Sequence, residues 1–372
     1  MTPRKYTIAL VPGDGIGVEV TASAVKVLNL VQEKVGGFML HYDKLNMGAR
    51  CYQETGVDMS AETLDALRAA DAILLGAIGL PSIRFANGTE ISPHLKVREE
   101  LGLYCGVRPT KAYPNSPRRL ADKRARNIDL VIIRESSEGL FYTQGRGEVI
   151  ADFEARETLR ITRPTCEKLF DRSFEIARRR KKNGGLGKVT CVDKANVFKA
   201  YAFFRKIFTE RAANYPEIEA DYNYVDAQAL DLIRRPWDFD VLVAENMFAD
   251  ILSDLAGGLV GGMGMAPCAE IGDNHGLFQP AHGSAPDIAG QDKANPLATI
   301  LSAAMMLDWL GSRHRHDALL SAAKLIGDAV FRAFADNRLQ PVEFGGIHGT
   351  SETTDIILRI TEELTTDQRA VS

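Results

Sequence analysis

The sequence predicts an α/β protein, of two domains or one large body. Its 372 residues alternate short apolar runs with amphipathic helical stretches, the pattern of strands interleaved with helices. Polar residues cluster just after the apolar runs, where open α/β sheets bind ligands beyond the carboxyl ends of their strands. Candidate strands are Tyr6–Val11, Asp71–Leu75, Asp129–Ile133, Lys188–Val192, Tyr222–Val225 and Asp240–Ala244.

The first strand runs into Gly13-Asp14-Gly15-Ile16-Gly17, and the helix after it sets Val20, Ala24, Val27, Leu28 and Val31 on one face. The glycine spacing is G-x-G-x-G, not the G-x-G-x-x-G of a dinucleotide fingerprint, so a tight turn with close backbone approach explains it as well. Gly145–Glu157 is polar and Gly-containing and reads as a protruding β-arm or a loop. The basic run Arg178–Lys182 ends a helix-like stretch, where it favours the helix C-terminus more than it signals nucleic acid. A net charge of −4 gives no general reason to bind nucleic acid or membrane. Cysteines 51, 105, 166, 191 and 268 contain no C-x-x-C pair and read as free thiols in a reducing compartment. With no signal peptide and no apolar run of about 18 residues, a cytoplasmic location is expected.

Three groups carry chemistry. Asp250 and Asp254 lie four residues apart on a predicted helix, so they share a face. Helical Asp pairs are usually just solvated, but this pair sits among Met247, Phe248, Ile251, Leu252 and Leu255. Like charges in an apolar setting favour a hard cation, Mg²⁺ or Mn²⁺, with Asp226 as third ligand. Arg98, Arg108 and Arg134 would fit a dicarboxylate through their forked donors, although surface arginines are common. Lys194 after a buried-looking strand is a candidate base, against the plainer reading of a strand-end lysine. His282-Gly283-Ser284-Ala285-Pro-Asp287, closed by Asn295-Pro296, is a Gly-containing polar loop before an apolar helix. A metal beside a nucleotide points to metal-assisted oxidation of a hydroxy acid.

Taken together, these segments resemble the β-decarboxylating dehydrogenases, the family of isopropylmalate, isocitrate, homoisocitrate and tartrate dehydrogenases. The likeness runs nearly end to end: Gly13–Gly17, Gly76-Ala-Ile-Gly79, Arg98 through Arg108-Pro109, Arg134-Glu135, Asp193-Lys194-Ala-Asn196, Tyr224-Val-Asp226 and the two later segments. The resemblance implies a non-Rossmann α/β fold with the active site in an interdomain cleft. Residues 1–104 with 261–372 would form the cofactor-binding domain, and 105–260 the dimerisation and metal/substrate domain. It implies a homodimer with shared active sites, in which Lys194 and Asp226 come from the neighbour of the subunit supplying Asp250 and Asp254.

The resemblance also implies the reaction. NAD would oxidise a C3-substituted malate, with Lys194 taking the hydroxyl proton, and the β-keto acid would then lose CO₂. Arg98, Arg108 and Arg134 would hold the carboxylates, and His282, Gly283, Ser284, Ala285, Asp287, Asn295 and Asn196 the cofactor. Asp287 would accept from the ribose hydroxyls and repel a 2′-phosphate, which favours NAD over NADP.

Two places depart from the family pattern. Relatives commonly carry a proton-donating tyrosine where this chain has Phe141, leaving adjacent Tyr142 as the candidate. In the substrate loop Leu95 suits an alkyl group, while Ser92 and His94 suit a polar one. Gln279 also stands where relatives often have Glu. Isopropylmalate-type oxidation is the leading expectation, ahead of tartrate or D-malate and of isocitrate or homoisocitrate. A non-catalytic, ligand-sensing subunit is the reading from a different class.

Overall fold

A computed structural model describes residues 3–371. In chain order the strands are β1 (Arg4–Gly13), β2 (Phe38–Lys44), β3 (Ala72–Ala77), β4 (Cys105–Lys111), β5 (Asp129–Glu135), β6 (Glu148–Ile150), β7 (Glu154–Arg156), β8 (Lys188–Asp193), β9 (Glu219–Tyr224), β10 (Val241–Ala244), β11 (Pro267–Ile271) and β12 (Gly276–Pro280). Ten of them make one sheet in the order β2-β1-β3-β12-β11-β4-β5-β10-β8-β9. β1, β2, β3, β11 and β12 occupy one half, and β4, β5, β8, β9 and β10 the other. The pairs β12–β11, β11–β4 and β4–β5 are antiparallel and meet at the centre, while the flanking pairs are parallel.

Burial explains which runs became strands. β3 is buried at every position, as a strand covered on both faces must be, and its sequence Ala-Ile-Leu-Leu-Gly-Ala is a continuous apolar run. At the edge, β9 keeps polar and half-exposed residues, which disfavours pairing with another chain. The expected strand Tyr222–Val225 begins earlier, at Glu219, and Val225 already opens the helix Val225–Arg234. The stretch 145–157 is a β-arm: β6 and β7 form a separate antiparallel ribbon whose residues are all exposed.

Pro109 lies within the central strand β4. Its missing N–H is tolerated because β11 pairs only with residues 105–107, so the ladder has ended on that side. Side chains on β4 alternate: Val107 and Pro109 line a groove of about 870 Å³ behind the sheet, and Arg108 points the other way.

The helix Arg163–Lys182 buries Cys166, Leu169, Phe170, Phe174 and Ala177 along one stripe. Its basic end is engaged inside the molecule. Arg178 pairs with Glu217 and Arg179 with Asp308, each at 2.6 Å, and Arg180 pairs with the buried Asp240. Among the described residues no helix is long and apolar enough to cross a membrane. All five cysteines are buried and free.

Candidate active site

The glycine turn after β1 brings three backbone segments together. Gly13 and Gly15 have positive φ, and a Cβ at Gly15 would stand 2.1 Å from the Ser284 carbonyl oxygen. Ile16 N–H donates to that carbonyl at 2.8 Å, and the Ser284 hydroxyl donates to the Gly79 carbonyl. Asp14 is buried, and its carboxylate accepts from the backbone N–H groups of Gly79, Ala49 and Arg50 at 2.8–2.9 Å. The turn therefore serves close backbone approach and positions the loop that begins at His282.

The helix Asn246–Leu259 follows β10 and is capped by Glu245, whose carboxylate accepts from Phe248 N–H at 3.1 Å. It presents Asp250 and Asp254 toward the arginines on β4 and β5. Arg108 donates to Asp250 at 2.9 Å and to the Ser253 hydroxyl at 2.6 Å, and stands 3.8 Å from Asp254. Arg134 donates to the same Asp250 oxygen and, through Nε, to Asn246 at 2.9 Å. Arg98, buried on the helix Pro93–Glu100, is ion-paired with Glu270 of β11 at 3.0 Å.

Electrostatics follow from this crowding. Burial pushes the pKa of Arg134 down to about 10, helped by Arg108 and Arg98. Burial also opposes the charge on Arg108, but Cys268, Glu270 and Asp250 outweigh it and its pKa rises. Asp254 is raised by burial and by Asp250, against the pull of Arg108. His94 is pushed down to about 3 by burial and by Arg98 and Arg134, so its ring is neutral near pH 7. Its Nδ1 is buried without a partner. Ser92 precedes the helix and donates to the Glu90 carbonyl at 3.1 Å, and Leu95 is half-buried beside them.

A cavity of about 490 Å³ adjoins this cluster, lined by Ile16, Asp254, His282, Ala285, Asn295 and Glu343 among others. The His282 Nε2 is buried and unpartnered, and burial lowers the ring's pKa, so it offers a neutral group to a ligand. Gly283 leaves open space and Ala285 holds a positive φ, both of which keep backbone close to the cavity. Asp287 is exposed. These features fit a nucleotide: a half-open pocket of polar and apolar groups whose wall includes Asp254.

Lys194 and Asp226 form their own group. Lys194 follows β8 directly and opens the turn after it, Asp226 sits in the first turn of Val225–Arg234, and the two are ion-paired. Asn196 is exposed beside them. Among the described residues no three His, Cys, Asp or Glu side chains are grouped to hold a metal, so this chain does not bring Asp226 to Asp250 and Asp254. Asp250 and Asp254 are 40% and 59% exposed, which leaves hard oxygen donors open to a cation completed from elsewhere.

Phe141 and Tyr142 share the short turn Leu140–Thr143. The Phe141 ring lies against the Arg134 guanidinium, 5.3 Å from carbon to centroid, and Tyr142 lies between Arg160 and Arg146, at 3.7 and 4.8 Å. The sequence reading overlooked Glu270, Glu343, Asn246 and Ser253. The last two were visible as polar positions on the acidic helix. Glu270 and Glu343 gave no local signal.

Comparison with known proteins identifies the family. The isocitrate/isopropylmalate dehydrogenase family matches residues 7–357. A 3-isopropylmalate dehydrogenase of Aquifex aeolicus is 39% identical, covering 97% of this chain and 98% of its own. Its counterpart from Heyndrickxia coagulans is 40% identical over 95% and 96%. Isocitrate dehydrogenase from Methylococcus capsulatus superposes with a TM-score of 0.83 at 34% identity, over 96% of this chain and 99% of its own. A β-decarboxylating dehydrogenase from Thermococcus kodakarensis gives 0.77 at 35%, over 97% of each. The chain belongs to the isocitrate/isopropylmalate dehydrogenase family, as a decarboxylating hydroxy-acid dehydrogenase of the 3-isopropylmalate dehydrogenase kind.

Proposed function

We propose that the chain oxidises a C3-substituted malate with NAD and Mg²⁺ or Mn²⁺ in a cleft between its two sheet halves, 1–104 with 261–372 against 105–260. The observation that carries this reading is Asp254, which faces Arg108 on one side and lines the His282 cavity on the other. A cation at Asp250 and Asp254 would supply polarisation of the substrate hydroxyl and C1 carboxylate, and NAD in the adjoining cavity would accept the hydride. Arg98, Arg108 and Arg134 orient the carboxylates, Asp287 takes the ribose hydroxyls, and Asn196 reaches the cofactor from the other subunit.

The remaining groups come from a second copy. Lys194 and Asp226 stand apart from Asp250 in one chain, and the helices nearby expose Leu230, Ile233 and Ile251, an apolar face suited to a homodimer. The exposed arm, with Val149 and Phe153, adds to that surface. The partner's Asp226 would be a further ligand for the cation, and the partner's Lys194 would accept the hydroxyl proton. Tyr142 is our candidate for protonating C3, and Ser92, His94 and Leu95 for reading the C3 group. Five buried free thiols favour the reducing cytoplasm.

The test is NADH formation with Mn²⁺, with CO₂ counted in parallel, on isopropylmalate, tartrate, D-malate, isocitrate and homoisocitrate separately. NADH with matching CO₂ on one malate supports the reading. Inactivity on all five would favour a ligand-sensing subunit.

A further inference from the structure

Glu270 is a carboxylate packed beneath the three arginines, with no place in the reaction described. Its side chain is 0% exposed and pairs with Arg98 at 3.0 Å. Its Oε1 also takes the Cys268 thiol at 3.7 Å, and its Oε2 is buried without a partner. Gly106 on the neighbouring strand makes room for it, since a Cβ there would stand 3.1 Å from Oε2. The charge of Glu270 is felt by Arg108 and Arg134 as well as by Arg98. A buried carboxylate left half-satisfied is costly unless its charge serves a purpose.

Charge complementarity supplies that purpose. Asp250, Asp254 and the partner's Asp226 serve the cation, and the partner's Lys194 serves the substrate hydroxyl, so the carboxylates are left to the buried arginines. What faces the substrate is then three guanidinium groups less Glu270, two positive charges for the two carboxylates of a malate. His94, in the first turn of the helix that would read the C3 group, is neutral and adds no third. We propose that Glu270 sets the charge of the substrate pocket, holding Arg98 in place and restricting the site to malates whose C3 substituent is uncharged. This rests on the functional reading above and names its substrate class: an alkyl or hydroxyl group at C3, not a third carboxylate.

The test compares wild-type enzyme with Glu270→Gln, which keeps the shape and one acceptor for Arg98. Calorimetric binding of isopropylmalate and of isocitrate is measured with Mn²⁺, and kcat/KM for both with NAD. Wild type should bind the dicarboxylate more tightly. Removing one buried negative charge should raise the isocitrate-to-isopropylmalate ratio by about tenfold or more in both assays, as expected for a unit charge a few ångströms away in a partly screened site. An unchanged ratio, with only a lowered urea midpoint, would make Glu270 a structural partner of Arg98 and overturn the proposal. If the Gln variant fails to fold, Glu270→Asn is the second neutral replacement. A wild-type preference for isocitrate overturns the proposal without any variant. Failure of the functional reading looks different: no NADH from either substrate, while binding still reports the charge effect.

Discussion

Arg108 Nη1 lies 2.9 Å from Asp250 Oδ1, and the same oxygen accepts from Arg134. Two buried guanidinium groups thus hold a protein carboxylate in the way they would hold a substrate's. A cation that drew Asp250 away would release both arginines, which would couple cation and substrate binding through this one side chain.

Asp250→Asn tests that coupling. Turnover should fall by about a thousandfold or more, because a positioned charge at the reacting centre is lost. The carboxylate is 40% exposed, so leaving Arg108 and Arg134 facing each other should cost only about 1–2 kcal/mol after screening. Mn²⁺ titration should show weakened binding, and isopropylmalate affinity should no longer depend on Mn²⁺. A variant that keeps wild-type Mn²⁺ affinity would remove Asp250 from the cation site.

Glu343 holds the wall of the cavity beside His282. One oxygen accepts from Gly264 N–H at 3.0 Å and the other from Asn295 Nδ2 at 2.9 Å, while Asn295 Oδ1 accepts from Leu297 N–H at 3.1 Å. Glu343→Ala frees the Asn295 amide to turn. KM for NAD should rise about tenfold, in line with losing one hydrogen bond to a charged group, with kcat little changed. Equal losses in kcat and kcat/KM would place Glu343 in the chemical step instead.

What the sequence disclosed and what it hid divide along a physical line. Asp250 and Asp254 were legible because helical spacing alone puts them on one face. Tyr6–Val11 and Asp71–Leu75 were legible because buried parallel strands are continuous apolar runs. β4 was not, since Gly106, Arg108 and Pro109 give it no strand pattern; it is a strand because β5 and β11 hold it. Asp14 was read only for its flanking glycines, although it caps three N–H groups from two distant segments. Glu270 lies 172 residues from Arg98 in sequence (270 less 98), and Glu343 lies 48 from Asn295. Such pairs exist only once the sheet has closed.

Tyr142 can be tested against its neighbour. Its ring is held by Arg146 and Arg160, while Phe141 lies on Arg134. If Tyr142 protonates C3, Tyr142→Phe should lower decarboxylating turnover by about a hundredfold, the usual scale for a lost general acid, with KM for NAD unchanged. Phe141→Tyr in that background should restore part of the rate. Turnover unaffected by Tyr142→Phe would assign the proton to water.

The acid limb of stability should report His94. Its pKa falls from an ordinary 6.5 to about 3 in the folded protein, through burial and then the charges of Arg98 and Arg134. Between those values the unfolded chain takes up a proton that the native state refuses, so stability is full above pH 6.5 and declines as pH falls toward 3. Glu135 works in the opposite sense over part of that range. Burial lifts its pKa from 4.5 to about 7, so its contribution is full below pH 4.5 and is lost as pH rises to 7. The two oppose each other between 4.5 and 6.5, and His94 acts without that opposition below 4.5. Urea midpoints measured against pH for His94→Gln should therefore show a shallower fall below pH 4.5 than wild type. Identical slopes there would mean that the native ring already carries its proton below pH 4.5, so that burial does not hold its pKa down to about 3.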